Sequence, residues 1–277
     1  MRELNGTSCL VTGCSTGIGR ATARALAAGG AQVFATARER SAIDELGGGN
    51  IETLALDVRD PMAVDAALDA AGPIDVLVNN AGFGIEGAVE EISDADLRDQ
   101  YETNVFGVWR LCRAVLPGMR KRGRGTIVNV SSFGGQAPFP GIGAYRSSKF
   151  ALEGLTWTLR LEVAHFGIRV VSVQPGLTSS QFGASLRQGQ DFDPDGPYAP
   201  MRVSAAIAYA QMSPTALEPE TVADAIVAAI EAENTPWRIR VGEDALRMTA
   251  AVESGVDAYE RELVDGLGFD WHPLGSA

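Results

Sequence analysis

The 277-residue sequence predicts a single doubly wound α/β domain: a parallel sheet of about seven strands with helices on both faces. Three observations carry this expectation. Short apolar runs alternate with helical stretches along the chain. The connections between them are short, and no linker divides them. A glycine-rich turn closes the first run and opens the first helix. The elements follow in order. Ser8–Val11 is a short apolar strand, and Ile18–Ala28 is a helix stopped by Gly29 and Gly30. Ala31–Thr36 and Glu52–Leu56 read as the second and third strands. Pro61–Ala71 is a helix with proline suited to its first turn, and Ile74–Asn79 is the fourth strand. Ser93 and Asp96 form a capping-box pattern that opens helical sequence to about Arg122. Gly125–Val130 is the fifth strand, Tyr145–Phe166 a long helix and Arg169–Val173 the sixth strand. Glu218–Glu231 is helical and Trp237–Val241 is the seventh strand. Two regions break the rhythm: the turn-rich segment Thr178–Pro214 and the tail Gly242–Ala277.

Composition narrows the function classes. Net charge is -12, which argues against nucleic acid or an anionic membrane as partner. No apolar run approaches the roughly 20 residues of a membrane span, and the N-terminus lacks the apolar core of a signal peptide. Cys9, Cys14 and Cys112 form neither a disulfide framework nor a zinc spacing, and His165 and His272 are too scattered for a metal site. The expectation is a reduced, cytoplasmic protein without a metal. Only Lys121 and Lys149 are lysines; the other basic residues are arginine.

The turn Thr12–Gly19 contains Gly13, Ser15, Thr16, Gly17, Ile18 and Gly19 between strand and helix. Glycines there permit a tight turn and close approach of a pyrophosphate, and the helix N-terminus offers free N–H groups and a favourable dipole. This points to a Rossmann-type dinucleotide site. NAD sites place a carboxylate near the end of the second strand to bind the ribose 2′-hydroxyl. Ala37 and Arg38 stand there instead. Arg38 can offer its guanidinium to a 2′-phosphate, with Ser15 and Thr16 adding hydroxyls, so NADP is the expected cofactor, with NADPH preferred over NADH.

Tyr145 and Lys149 are four residues apart, on one face of a helix. A phenol is a poor acid–base catalyst at neutral pH unless a neighbouring positive charge favours its phenolate. Ser131 and Ser132 follow the fifth strand, Asn79–Gly82 follow the fourth, and Pro175-Gly176 follow the sixth. All fall at the carboxyl edge, where open α/β sheets bind ligands.

Together, the TGxxxGxG turn, the Asn-Asn-Ala-Gly segment, Ser132 and the Tyr-x-x-x-Lys pair resemble the roughly 250-residue branch of the short-chain dehydrogenase/reductase family, over about residues 5–245. The resemblance implies an enzyme interconverting a ketone or aldehyde and an alcohol. Tyr145 is then the acid or base, Ser132 polarises the substrate oxygen, and Lys149 lowers the Tyr145 pKa and binds the nicotinamide ribose. Asn104 holds a water that relays protons from Lys149. Asp57 and Val58 meet the adenine, and Asn79, Ala81 and Gly82 line the adenosine and nicotinamide-ribose side. Pro175, Gly176 and Thr178 position the nicotinamide. Residues 178–214 become a substrate lid, and 242–277 a C-terminal extension to one catalytic domain.

Phe133, Phe139 and Pro140, with Phe182, Phe192, Tyr198, Met201, Tyr209 and Met212 of the lid, either line an apolar substrate site or pack the lid onto the domain. Serine 147 to Gly154 is similar to hydroxysteroid and retinol dehydrogenases and to many bacterial reductases. The resemblance also implies a homodimer or homotetramer through the helices that carry Trp109 and Trp157. Two other readings use the same residues: an epimerase or dehydratase built on the Tyr/Lys pair, and a non-catalytic NADP-binding regulator.

Overall fold

The computed structural model describes residues 4–179 and 186–270. Seven parallel strands form its main sheet: β1 (Ser8–Val11), β2 (Gln32–Ala37), β3 (Ile51–Ala55), β4 (Val76–Asn79), β5 (Gly125–Val130), β6 (Ile168–Pro175) and β7 (Arg238–Val241). Their spatial order is 3-2-1-4-5-6-7. Strand β1 pairs with β2 on one side and β4 on the other, so the winding reverses between β1 and β4. At such a reversal the two following loops part, leaving a crevice beyond the carboxyl ends of the strands.

Side-chain alternation sorts the strands into two cores. Cys9 and Val11 of β1 face the same cluster as Val76 and Val78 of β4. Helices α1 (Gly17–Ala28) and α7 (Pro219–Glu231) cover it with Ala23, Leu26, Val222 and Ile226. Leu10, Leu77 and Ile127 face the other way. There α2 (Pro61–Ala71), α4 (Val108–Arg122) and α5 (Gly143–Val163) supply Val64, Leu111 and Leu152. Burial on both faces explains why these strands read as nearly continuous apolar runs.

The helical stretch expected from Ser93 to about Arg122 is interrupted. Helix α3 (Asp94–Tyr101), capped by Ser93 as the sequence predicts, runs into a π-helical turn, Glu102–Gly107, before α4 begins. A π-turn adds a residue per turn and re-aims the side chains within it. Here it contains Asn104, which is buried against the loop after β4. A two-residue strand, Ile85–Glu86, pairs with Arg187–Gln188 of the lid region; it is too short for periodicity to reveal.

A third core lies at the carboxyl edge. Helix α6 (Ala199–Met212) of the lid region and α8 (Glu243–Glu253) and α9 (Val256–Arg261) of the tail pack there around Phe133, Phe139, Met201, Met248, Tyr259 and Phe269. Phe182 and His272 lie outside the described residues. Among the described residues no helix is long and apolar enough to cross a membrane.

All three cysteines are buried, and burial pushes each thiol up to about 12. The thiolate is the reactive form. The native protein is therefore expected to react with no aromatic disulfide reagent at pH 8 over minutes, and with three equivalents per chain after unfolding. Fast labelling of native protein would contradict the packing described.

Candidate active site

The crevice between β1 and β4 is held together by Thr12 and Asn80. The Thr12 hydroxyl accepts the backbone N–H groups of Asn80 and Ala81, both at 2.9 Å. The Asn80 amide donates back to the carbonyls of Thr12 at 2.8 Å and Gly13 at 3.1 Å. Two glycines of the turn are required by geometry. Gly13 has φ 72°, and a Cβ on it would lie 2.8 Å from the Ala81 Cα. Gly19 is pressed against the Gly13 carbonyl and the Asn80 amide, each 2.4 Å from where its Cβ would be. Thr16 precedes α1 without a side-chain cap, which leaves the first-turn N–H groups for a ligand.

Gly13, Ser15, Thr16, Gly17 and Ile18 line a cleft of about 1160 Å³; Gly19 packs beneath it. Arg38, Asp57, Val58, Ala81, Gly82, Pro175, Gly176 and Thr178 line the same cleft. Arg38 stands exposed just past β2 and near enough to Asp57 to help lower that carboxyl. The larger cause is Arg59, whose Nη2 donates to Asp57 at 2.7 Å. Arg59 also reaches Asp99 at 2.8 Å, and Asp99 accepts from Arg187 of the lid region at 2.6 Å.

Asn79 departs from its expected place. It is buried away from the cleft, and its amide donates to Asn129 Oδ1 at 2.8 Å. Its neighbour Asn80 lines the cleft instead.

Helix α5 brings Tyr145 and Lys149 to the cleft beside Ser131 and Ser132, which follow β5. The Ser132 hydroxyl hydrogen-bonds the Tyr145 phenol and accepts the Gly134 N–H at 3.0 Å. Burial raises the Tyr145 pKa, and the Ser132 hydrogen bond and the Arg146 charge oppose that rise. The sequence reading assigns the lowering to Lys149. In the structure the Lys149 ammonium sits over the Tyr145 ring, 5.8 Å from its centre, and donates to the Val130 carbonyl at 3.0 Å. Burial pushes Lys149 itself down to about 8, with Glu153 opposing.

Asn104 is held beside the site by its side chain. Its amide donates to the Phe83 carbonyl and to Ser148 Oγ, both at 3.0 Å, and its Oδ1 accepts the Phe83 N–H at 3.2 Å. Both amide protons are thus committed to fastening the loop after β4 onto α5, and the side chain does not line the cleft.

The apolar side chains of residues 178–214 and of the loop after Ser132 divide between the two readings left open by the sequence. Tyr209, Phe133 and Pro140 line the cleft. Phe139, Met201 and Met212 are buried in the third core, while Phe192 stacks under Arg202. Helix α6 turns Ala205, Ala206, Tyr209 and Ala210 toward the opening, an i, i+1, i+4, i+5 pattern that makes one wall. Arg202, on the same face, pairs with buried Glu91 at 2.9 Å. Sequence reasoning missed these alanines because they carry no chemical signal.

A dinucleotide-type crevice thus opens beside a Ser–Tyr hydrogen bond and a buried lysine. The family model for short chain dehydrogenases matches residues 7–191. A 3-ketodihydrosphingosine reductase of Bacteroides thetaiotaomicron is 37% identical over 84% of this chain and 87% of its own. A short-chain dehydrogenase structure from Streptomyces avermitilis superposes with TM-score 0.81 at 39% identity, over 97% of this chain and 98% of that one. A short-chain dehydrogenase of Burkholderia cenocepacia, solved with NADP, gives TM-score 0.74 at 25% identity, over 96% and 99% of the chains. The chain belongs to the short-chain dehydrogenase family, and it is an oxidoreductase of that family.

Proposed function

We propose that the chain is an NADPH-dependent reductase of ketones or aldehydes, working reversibly on an apolar small molecule. The observation that carries this reading is the hydrogen bond between Ser132 and Tyr145 in the same cleft as the glycine turn, Arg38 and Lys149. The residues fit a dinucleotide: the cradle at Gly13 has no room for a Cβ, and α1 presents an uncapped N-terminus. The glycine turn and α1 would hold the pyrophosphate, Asp57 and Val58 the adenine, Arg38 the 2′-phosphate, and Pro175–Thr178 the nicotinamide end. When bound, the nicotinamide supplies or takes the hydride. The protein holds the carbonyl oxygen between Ser132 and Tyr145, and Tyr145 delivers the proton. A phenol whose pKa is raised by burial stays protonated at neutral pH, as an acid for reduction must.

An apolar substrate is supported by the alanine wall of α6 and by Phe133, Ile142 and Leu177 in the cleft. The ketone in the name of the Bacteroides relative supports a ketone substrate. Residues 1–277 act as one catalytic domain with a lid, working in the cytoplasm. The exposed apolar side chains Phe106 and Trp109 near the start of α4, with Phe150, Trp157 and Leu161 on α5, support a homodimer or homotetramer. Light scattering that gives a monomer at micromolar concentration would reject that assembly.

The decisive assay is initial-rate reduction of a ketone and aldehyde panel with NADPH and with NADH. Arg38 should favour NADPH by about tenfold or more in kcat/KM, from one charge-assisted phosphate contact. Arg38→Ala should remove that preference and leave NADH kinetics unchanged. A wild-type preference for NADH would overturn the cofactor reading. Absence of turnover with either cofactor across the panel would favour the regulator reading. Tightly held cofactor with no net oxidation of it would favour the epimerase or dehydratase.

A further inference from the structure

Two side chains of the C-terminal helices reach across to the loops that carry the site. Asp244 stands in the first turn of α8 and is buried. One of its oxygens accepts the Ala245 N–H at 2.9 Å, as a helix N-terminus alone would explain. The other accepts the N–H of Leu177 at 2.6 Å, from a residue 67 positions earlier in the chain. Leu177 lies in the Pro175–Thr178 loop at the end of β6. Contact there is tight, since a Cβ on Gly176 would fall 1.8 Å from Asp244 Oδ1. The Gly176 N–H is taken by the Val241 carbonyl at 2.8 Å, so the strand before α8 and the helix itself hold the loop at consecutive residues.

Tyr259 of α9 makes the matching contact. It is buried, and its hydroxyl donates to the Pro138 carbonyl, in the loop that leaves Ser132. Phe269 adds a ring contact to Phe139 at 6.1 Å. Arg146, one residue past the phenol, is buried near both groups, and its charge opposes the rise that burial causes in the pKa of each.

We propose that Asp244 and Tyr259 are positioning residues for the reaction, pinning from behind the two loops between which the carbonyl and the nicotinamide end would meet. This rests on the oxidoreductase reading above. The physical reason is that a displacement of about 1 Å in a reacting group costs up to about a hundredfold in rate, and loops hold their place only through such supporting contacts. The tail is then part of the catalytic apparatus, although it touches neither reacting atom.

Hydrogen–deuterium exchange combined with kinetics on the full chain tests this. In Asp244→Ala, uptake over residues 176–179 should rise about tenfold while uptake over 8–28 stays unchanged. Turnover should fall about ten- to a hundredfold. Affinity for adenosine 2′,5′-bisphosphate, which lacks the nicotinamide, should stay within about twofold. Asp244→Asn keeps a carbonyl acceptor for Leu177 and should recover most of both losses. Tyr259→Phe should raise uptake over 133–140 and lower turnover with unchanged KM for the cofactor. Unchanged exchange at 176–179, or a rise shared equally with 8–28, would overturn the proposal. So would a local rise with unchanged turnover. A wild-type chain that binds no dinucleotide would instead sink the oxidoreductase reading and with it the catalytic half of this one; the exchange pattern tells the two failures apart.

Discussion

Tyr145→Phe is expected to lower carbonyl reduction by about 10³-fold while cofactor affinity stays within about twofold, because positioned general acids contribute roughly 10²–10⁴. The substitution removes one oxygen and leaves the ring, so packing against the cleft wall is retained. What is lost is the proton donor at the carbonyl oxygen. Water could replace it only by entering a partly buried site without the orienting hydrogen bond from Ser132. Ser132→Ala should cost less, about 10²-fold, since it removes one hydrogen bond to the developing alkoxide and leaves the acid in place. In that variant burial still raises the phenol pKa, and one of the two opposing effects is gone. The alkaline limb for alcohol oxidation, which needs the phenolate, should therefore move to higher pH. Stopped-flow single turnovers measure the chemical step directly. Tyr145→Phe retaining more than about a tenth of wild-type turnover would remove Tyr145 from its role.

The sheet was legible because its strands are buried on both faces, and an apolar run such as Gly125–Val130 needs no partner to be recognised. The glycine turn and the Tyr/Lys pair were legible because each is a local spacing tied to one element. Legibility ended where a role depends on which way a side chain points or on a distant partner. Asn79 and Asn80 are neighbours in one motif. Strand parity puts Asn79 on the face of Leu77, beneath α4 beside Cys112, and leaves Asn80 to close the glycine turn. That parity was available in the sequence and points the same way. Asn104 was visible as a residue, but the π-turn that carries it follows from contacts with Phe83 and Ser148. The links from Asp244 to Leu177 and from Tyr259 to Pro138 join residues 67 and 121 positions apart, and no local pattern encodes them.

Lys149→Met is expected to stabilise the fold and destroy turnover together. The ammonium is buried, and burial lowers its pKa from 10.5 to about 8. At pH 7 the native state therefore carries a charge that costs about 3 kcal/mol relative to the unfolded chain. Methionine has nearly the same length and no charge to desolvate. It also leaves the Val130 carbonyl without its donor, a loss of about 1 kcal/mol, so the net gain at pH 7 is about 2 kcal/mol. The sign fixes a pH dependence. Between about 8 and 10.5 the unfolded lysine holds a proton that the native lysine has released. Wild-type stability from this group accordingly rises with pH through that window, and the advantage of the methionine variant should shrink across it. Urea unfolding of both proteins at pH 7 and pH 10 measures the difference and cancels the titration of every other group. Turnover should fall by about 10²-fold or more, because the ammonium over the Tyr145 ring is lost and arginine's planar fork does not substitute for that compact charge. A methionine variant less stable than wild type at pH 7 would show that Lys149 is held for structure. The expected result shows it is held against stability, for the chemistry of the cleft.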